Sequence, residues 1–302
     1  MDETREKKMT IKRTSKYKSD IAGWLIILPS IILFAFFVWE PLIESIRLSL
    51  YSAKGMQTIE FVGFDNYAKI FNHPDFAAAL RNTFIYIVWS LVIGFFVPIF
   101  LGVLLTETVH LKGFFRFGIY FPNIMPGIAT VMMWGYFFRP GPTGVLNILL
   151  EKIGIEPQVW LTNPSWTIPL IILTMTWKGA GSTALIYMAN ISGINPELYE
   201  AATIDGASIL KRVRHITMPS IFSLGKTLLI LQVIAVFQIL YEPLIMTNGG
   251  PNNASISIMQ LVYNYAFRDF NYPMAAALSV MICLVLVVLS GTYFKITKEK
   301  EY

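Results

Sequence analysis

Glu200-Ala201-Ala202-Thr203-Ile204-Asp205-Gly206-Ala207-Ser208, continuing to Ile216-Thr217-Met218-Pro219, is a polar, charged insertion between two long apolar runs. The runs on either side decide the fold class. Residues 166–189 precede the insertion and residues 221–246 follow it. Each is long enough to cross a hydrocarbon layer, which takes about 20 apolar residues. A structured hydrophilic stretch between two such runs reads as a segment at a membrane face.

The rest of the chain repeats the pattern. Of its 302 residues 55% are hydrophobic and 14% charged, whereas soluble domains carry about 25% charged residues. The apolar residues cluster in six runs, residues 21–39, 82–105, 114–138, 166–189, 221–246 and 274–294. In hydrocarbon every backbone polar group needs an internal partner, so these runs are expected to be helices. The expected fold class is an all-α polytopic membrane protein with six transmembrane helices. The first run carries Pro29 and leads into Trp39-Glu40-Pro41 rather than a small-residue cleavage site, so it reads as a retained helix. One membrane domain over residues 21–295 is expected, with tails at 1–20 and 296–302 and the hydrophilic segment at 192–220.

Charge orients the chain. Arg5, Lys7, Lys8, Lys12, Arg13, Lys16 and Lys18 precede the first run, Lys112 and Arg116 join the second to the third, Lys211, Arg212 and Arg214 join the fourth to the fifth, and Lys295, Lys298 and Lys300 follow the sixth. The opposite face has Arg47, Lys54, Lys69, Arg81, Arg139, Lys152 and Arg268 on longer loops. Short positive loops mark the cytoplasmic side, so both termini and the Glu200 segment are expected there. The basic residues are sorted by loop rather than spread over a polar surface, which argues against nucleic acid as a partner.

Within the insertion, Asn195 suits a helix cap, Pro196 the first helical position and Glu197 the positive end of the dipole. That helix is expected to end at Asp205-Gly206, because glycine readily takes positive φ. A second helical piece is expected over residues 207–215, with Pro219 marking entry to the fifth span. The small residues Ala201, Ala202 and Ala207 let another surface approach. The segment reads either as a docking site for a soluble partner or as a connecting loop with some helix.

The residues E-A-A-T-I-D-G-A-S followed by I-T-M-P resemble the EAA loop of type I ATP-binding-cassette (ABC) importer permeases. Leu28-Pro29, Pro41-Leu42, Ser45 and Ser49 resemble the first helix of the sugar-permease branch. Phe61-Val62-Gly63-Phe64-Asp65-Asn66-Tyr67 is similar to its outer F-x-G-x-x-N-Y segment, and Arg81-Asn82-Thr83 to the start of its second span. Gly144 with Asn147 fits its outer loop, and Thr247-Asn248-Gly249-Gly250-Pro251 with Asn253 resembles T-x-G-G-P. The branch is that of the maltose and glycerol-3-phosphate systems, and the Asn66-Tyr67 segment suggests the first of its two permeases.

The resemblance implies a type I importer fold in a bacterial or archaeal cell membrane. It implies a carbohydrate delivered by an extracytoplasmic solute-binding protein, a second permease subunit, and two ATPase subunits that hold ATP and Mg. Glu200, Ala201, Ala202, Asp205, Gly206 and Pro219 would then form the coupling loop. A non-sugar or acidic solute such as a glycerophosphate is the alternative. A secondary transporter is the weaker one, since it would call for intramembrane carboxylates or an inverted repeat.

The chain itself shows no ATP site. Gly225-Lys226-Thr227 has Ser220 where a phosphate-cradling loop needs its first glycine, and no strand precedes it. No group of nucleophile, acid and base at one depth suggests an enzyme. His73, His110 and His215 lack metal-ligand spacing, and Cys283 reads as a small apolar side chain.

Lys178 is the exception inside the spans. A charge at mid-span costs about 3 kcal/mol on insertion scales, so it is expected to face a cavity or a partner rather than to snorkel. Gln232 and Gln238 read equally as solute contacts or as interhelical hydrogen bonds. Trp177, Tyr241 and Glu242 complete the expected solute pathway, with aromatic faces and an acid suited to sugar hydroxyls.

Overall fold

The computed structural model describes residues 21, 23–54, 57–107 and 110–298. The expected basic tail over residues 1–20, and residues 299–302 of the expected C-terminal tail, lie outside the described residues. The architecture is helical. Helix α1 is Gly23–Ser49, and a small antiparallel hairpin follows, β1 (Tyr51–Lys54) with β2 (Gln57–Phe61). Tyr51 pairs with Phe61, and a bulge falls between Ser52 and Ala53. Next come α2 (Asp65–Phe71), α3 (Pro74–Glu107), α4 (Lys112–Ile124), α5 (Gly127–Phe137) and α6 (Val145–Lys152). Then follow α7 (Pro164–Ser192), α8 (Pro196–Ile204), α9 (Ile209–Phe237), α10 (Tyr241–Met246), α11 (Ile258–Tyr263) and α12 (Tyr272–Lys298).

Among the described residues, four helices are long and apolar enough to cross a membrane: α1, α3, α9 and the last helix over Tyr272–Thr297. Helix α7 has 29 residues, about 43 Å at 1.5 Å per residue, but it carries more polar side chains. No residue in the apolar stretch of α1 is buried by the rest of the chain; Trp24, Ile26 and Phe37 are about two-thirds exposed or more. Apolar surface on that scale belongs against lipid or another subunit.

Three expectations change. The expected all-α class gains a hairpin outside the apolar runs. The third run, read as one helix, is broken: Met125 and Pro126 are extended, and α4 ends where α5 has yet to begin. Proline has no N–H and pushes its predecessor out of the helical region. The fifth run also breaks, after Phe237, and α10 restarts at Tyr241. Pro243 cannot donate to the carbonyl of Ile239, and the Ser257 hydroxyl donates to that oxygen instead at 2.6 Å. Prolines inside α3 and α9 do not break them. Each is preceded by a π-helical turn, Ser90–Phe95 before Pro98 and Val213–Thr217 before Pro219, a local adjustment that accommodates irregular backbone.

Helices α3, α7 and α9 form the centre. Tyr86, Ile168, Ile171, Ile172, Val236 and Ile239 are buried together there. Small residues allow close approach. A Cβ on Gly181 would stand 2.0 Å from the Ile119 carbonyl oxygen of α4, and one on Gly102 would stand 3.0 Å from the Ala184 carbonyl oxygen of α7. A second core joins α2, α3 and α11 to the last helix through Ile70, Phe76, Leu261, Ala277 and Leu278.

Candidate functional site

The hydrophilic insertion folds as an elbow. Asn195 accepts the Glu197 N–H at 3.0 Å and Pro196 opens α8. At the other end the N–H of Gly206 bonds the Thr203 carbonyl and the N–H of Ala207 reaches the Ala202 carbonyl at 2.8 Å. This pair of bonds is the Schellman cap, and it requires the left-handed conformation that Gly206 takes at φ +72°. The second piece is not a separate short helix over residues 207–215. It is the start of α9, which runs unbroken from Ile209 through its π turn and Pro219 to Phe237.

Two side-chain bonds fix the elbow. The Tyr199 hydroxyl lies 2.9 Å from the Thr217 hydroxyl, and Arg212 donates to the Thr203 hydroxyl at 2.8 Å. The surface so held is open. Glu200, Ala201, Asp205, Gly206 and Pro219 are exposed, and Ala202 is half-buried. Ile204 and Leu210 are 86% and 78% exposed beside them. Among the described residues neither Glu200 nor Asp205 forms an ion pair. Uncovered apolar side chains next to uncompensated carboxylates make a surface that a partner can desolvate.

Within the helices, α3, α7 and α9 line a half-open cavity of about 380 Å³. Its walls are mostly apolar, with Ser90, Thr176, Thr183, Tyr187 and Gln232 as the polar groups. Gln232 donates through Nε2 to both the carbonyl and the hydroxyl of Ser90, each at 2.7 Å. Gly94 makes room for this bridge, since a Cβ there would lie 2.6 Å from that nitrogen. The Tyr187 side chain is 1% exposed and its hydroxyl finds no partner among the described residues. Gln232 therefore fits both sequence readings: it is an interhelical bond and it lines a cavity.

The other expected pathway residues divide. Trp177 meets Trp134 edge-on, with ring centroids 5.6 Å apart. Lys178 donates to the Met125 carbonyl at 2.8 Å and to the Asn123 carbonyl at 3.3 Å. Gln238 is not inside a helix as expected; it caps the end of α9 and faces a separate groove with Met259, Ser279 and Cys283. Tyr241 is exposed. Glu242 is half-buried, within electrostatic range of Lys178 and of Tyr86.

At the other end of the molecule the motif residues are tied internally. Asn66 donates to the carbonyls of Ser49 and Tyr51, and the Tyr67 hydroxyl lies 2.7 Å from that of Ser49. Gly249, at φ +82°, and Gly250 and Pro251, joined by a cis bond, form a turn closed by the Thr247–Ser255 hydroxyl pair. Asn82 donates to the carbonyls of Asn253 and Ile256, Tyr86 to that of Ser255, and Asn253 to the Asp75 carboxylate at 2.6 Å. Asn147 holds the 139–160 loop through Gly141, Gln158 and Trp160. Beside them Tyr265 packs edge-on against His73. Burial, then Asp75 and Asp269, push its phenol up to about 12, so it stays neutral. Sequence reading missed Tyr86; the clue was a hydroxyl one helical turn beyond Asn82, on the same face.

Residues 94–294 match the family described as binding-protein-dependent transport system inner membrane component. A lactose transport system permease protein of Rhizobium radiobacter is 33% identical over 300 residues, covering 97% of this chain and 99% of that one. A diacetylchitobiose uptake system permease protein of Streptomyces coelicolor is 29% identical over 308 residues, covering 97% and 85%. Among solved structures, a chain of a bacterial ABC transporter involved in the import of the acidic polysaccharide alginate matches at TM-score 0.83 and 27% identity, over 96% of this chain and 100% of that one. A chain of the alginate ABC transporter in complex with its pentasaccharide-bound periplasmic protein matches at TM-score 0.82 and 28% identity, over 94% and 96%.

Proposed function

The chain belongs to the family of binding-protein-dependent transport system inner membrane components, and from that premise we propose that it carries a saccharide through the cell membrane as one permease of an ATP-driven importer. Its fold is that of the type I importer permease, and such a subunit is not itself an enzyme. The named cargoes of its relatives, lactose, diacetylchitobiose and alginate, support a sugar or oligosaccharide. So does the cavity, where a hydroxyl, an amide and Ser90 offer hydrogen bonds within an apolar wall.

The elbow carries the rest of the reading. It presents Ile204, Leu210, Glu200 and Asp205 outward and is rigidly joined to α9, which lines the cavity through Leu228, Gln232 and Val236. A partner that grips the elbow therefore moves a cavity wall. We assign that grip to an ATPase subunit, which holds ATP and Mg, with a second ATPase on a second permease. Six spans then count α4 and α5 as one interrupted crossing and α7 as another. Both termini face the cytoplasm, on the side with the short basic loops. A solute-binding protein delivers cargo to the opposite face.

The test is to purify the complex from membranes through a tag on this chain. The expected result is recovery of a second permease and an ATPase whose turnover rises several-fold with loaded binding protein. Recovery of this chain with no nucleotide hydrolase would sink the reading.

A further inference from the structure

Family membership alone leaves open whether the saccharide is neutral or acidic, and Lys178 bears on it. The break between α4 and α5 leaves carbonyls there, among them those of Asn123 and Met125, without helical donors, because Met125 is extended and Pro126 has no N–H. Inside a membrane such oxygens need a partner from elsewhere. Lys178, 53 residues from Met125 in sequence, reaches across from α7 and takes two of them, the Met125 oxygen at 2.8 Å and the Asn123 oxygen at 3.3 Å. A cation at a helix C-terminus also sits at the favourable end of the dipole.

The remaining charge is met from a third direction. Helix α10 packs on both α5 and α7 and brings the Glu242 carboxylate into electrostatic range of the ammonium. Two carbonyl dipoles thus hold the ammonium directly, and a carboxylate lies within electrostatic range of it. Lys178 is also absent from the cavity wall, although Thr176 and Gly179 on either side of it are part of that wall.

We propose that Lys178 is a positioning residue that clamps the interrupted third crossing, and that the transported saccharide is uncharged. Its ammonium is engaged by the protein, so the pathway has no free cation there to recognise a uronate or a phosphate. The choice of an uncharged solute rests on the transport reading above; the clamp does not.

Two measurements test it, both on the assembled complex. In the first, Met125→Cys is placed in a Cys283→Ala background and alkylated with N-ethylmaleimide in native membranes. Adding Lys178→Met is expected to raise the alkylation rate about tenfold by releasing the break, while Lys178→Arg, which keeps the donors, leaves it within about twofold. Equal rates with Met and Lys would overturn the clamp. In the second, uptake into proteoliposomes is compared between neutral di- and trisaccharides and uronate oligomers of equal length. A neutral sugar is expected to be the better cargo, and Lys178→Met to lower its maximal rate about tenfold with KM changed less than about twofold. Preference for the uronates, or a KM raised at unchanged rate, would overturn the uncharged assignment. If the wild-type complex moved no saccharide at all, the transport reading would fall, and the alkylation result would still decide the clamp.

Discussion

Gly206 and Gly249 have nearly the same backbone conformation, φ +72° and +82°, in opposite surroundings. A Cβ on Gly206 would meet nothing within 4 Å, whereas one on Gly249 would meet Gln260 at 3.1 Å and Ile256 at 3.2 Å. The elbow around Gly206 is open, with apolar and acidic side chains facing out. The turn around Gly249 is packed, and its carbonyls are claimed by Asn82 and Tyr86. Both are motif segments, yet one closes its hydrogen bonds within the fold and the other leaves its surface open. A motif residue whose hydrogen bonds all close within the chain is accounted for by folding. One whose side chain is left open is accounted for by what binds it.

Substitution sharpens that contrast. Gly249→Val combines left-handed strain of about 1–2 kcal/mol with overpacking of about 1–3 kcal/mol. It should remove most of the folded protein, as read by size-exclusion yield and thermal midpoint in detergent; wild-type yield would break the comparison from the packed side. Gly206→Val carries the same strain, about 1–2 kcal/mol, with no clash. Here insertion and yield should hold while ATP-driven uptake is lost, because the Schellman cap sets the angle of α8 to α9. Normal uptake by this variant would count heavily against docking at the elbow. The smallest effect is expected for Tyr199→Phe. It removes one bond to the buried Thr217 hydroxyl, about 1 kcal/mol, and should slow uptake by about fivefold at most with yield unchanged. A drop in yield would mean that the elbow, like the outer turn, serves the fold.

Much of the elbow was legible in the sequence. The Asn195-Pro196-Glu197 start and the Gly206 stop follow from local backbone chemistry, and both appear where expected. The interruptions were not legible. Pro98 and Pro219 are absorbed within helices, while Pro126 and Pro243 accompany breaks. Local sequence does not separate these cases. At each break a remote donor takes a carbonyl the helix cannot satisfy: Lys178 at the end of α4, and Ser257 at Ile239. Reading the run 221–246 as unbroken therefore misplaced Gln238 inside a helix and put Tyr241 and Glu242 on the same helix as Gln232, when they open a separate one.

The sequence by itself determined a membrane-embedded helical protein with one exposed polar elbow, because run length, loop charge and capping residues act over a few neighbours. Only the tertiary structure decided where the polar groups of the spans point. Gln232 meets Ser90 across 142 residues, and Lys178 meets Asn123 across 55. In an apolar medium a polar group goes to whichever partner the fold brings within reach, and that partner is set by packing rather than by its neighbours in the chain.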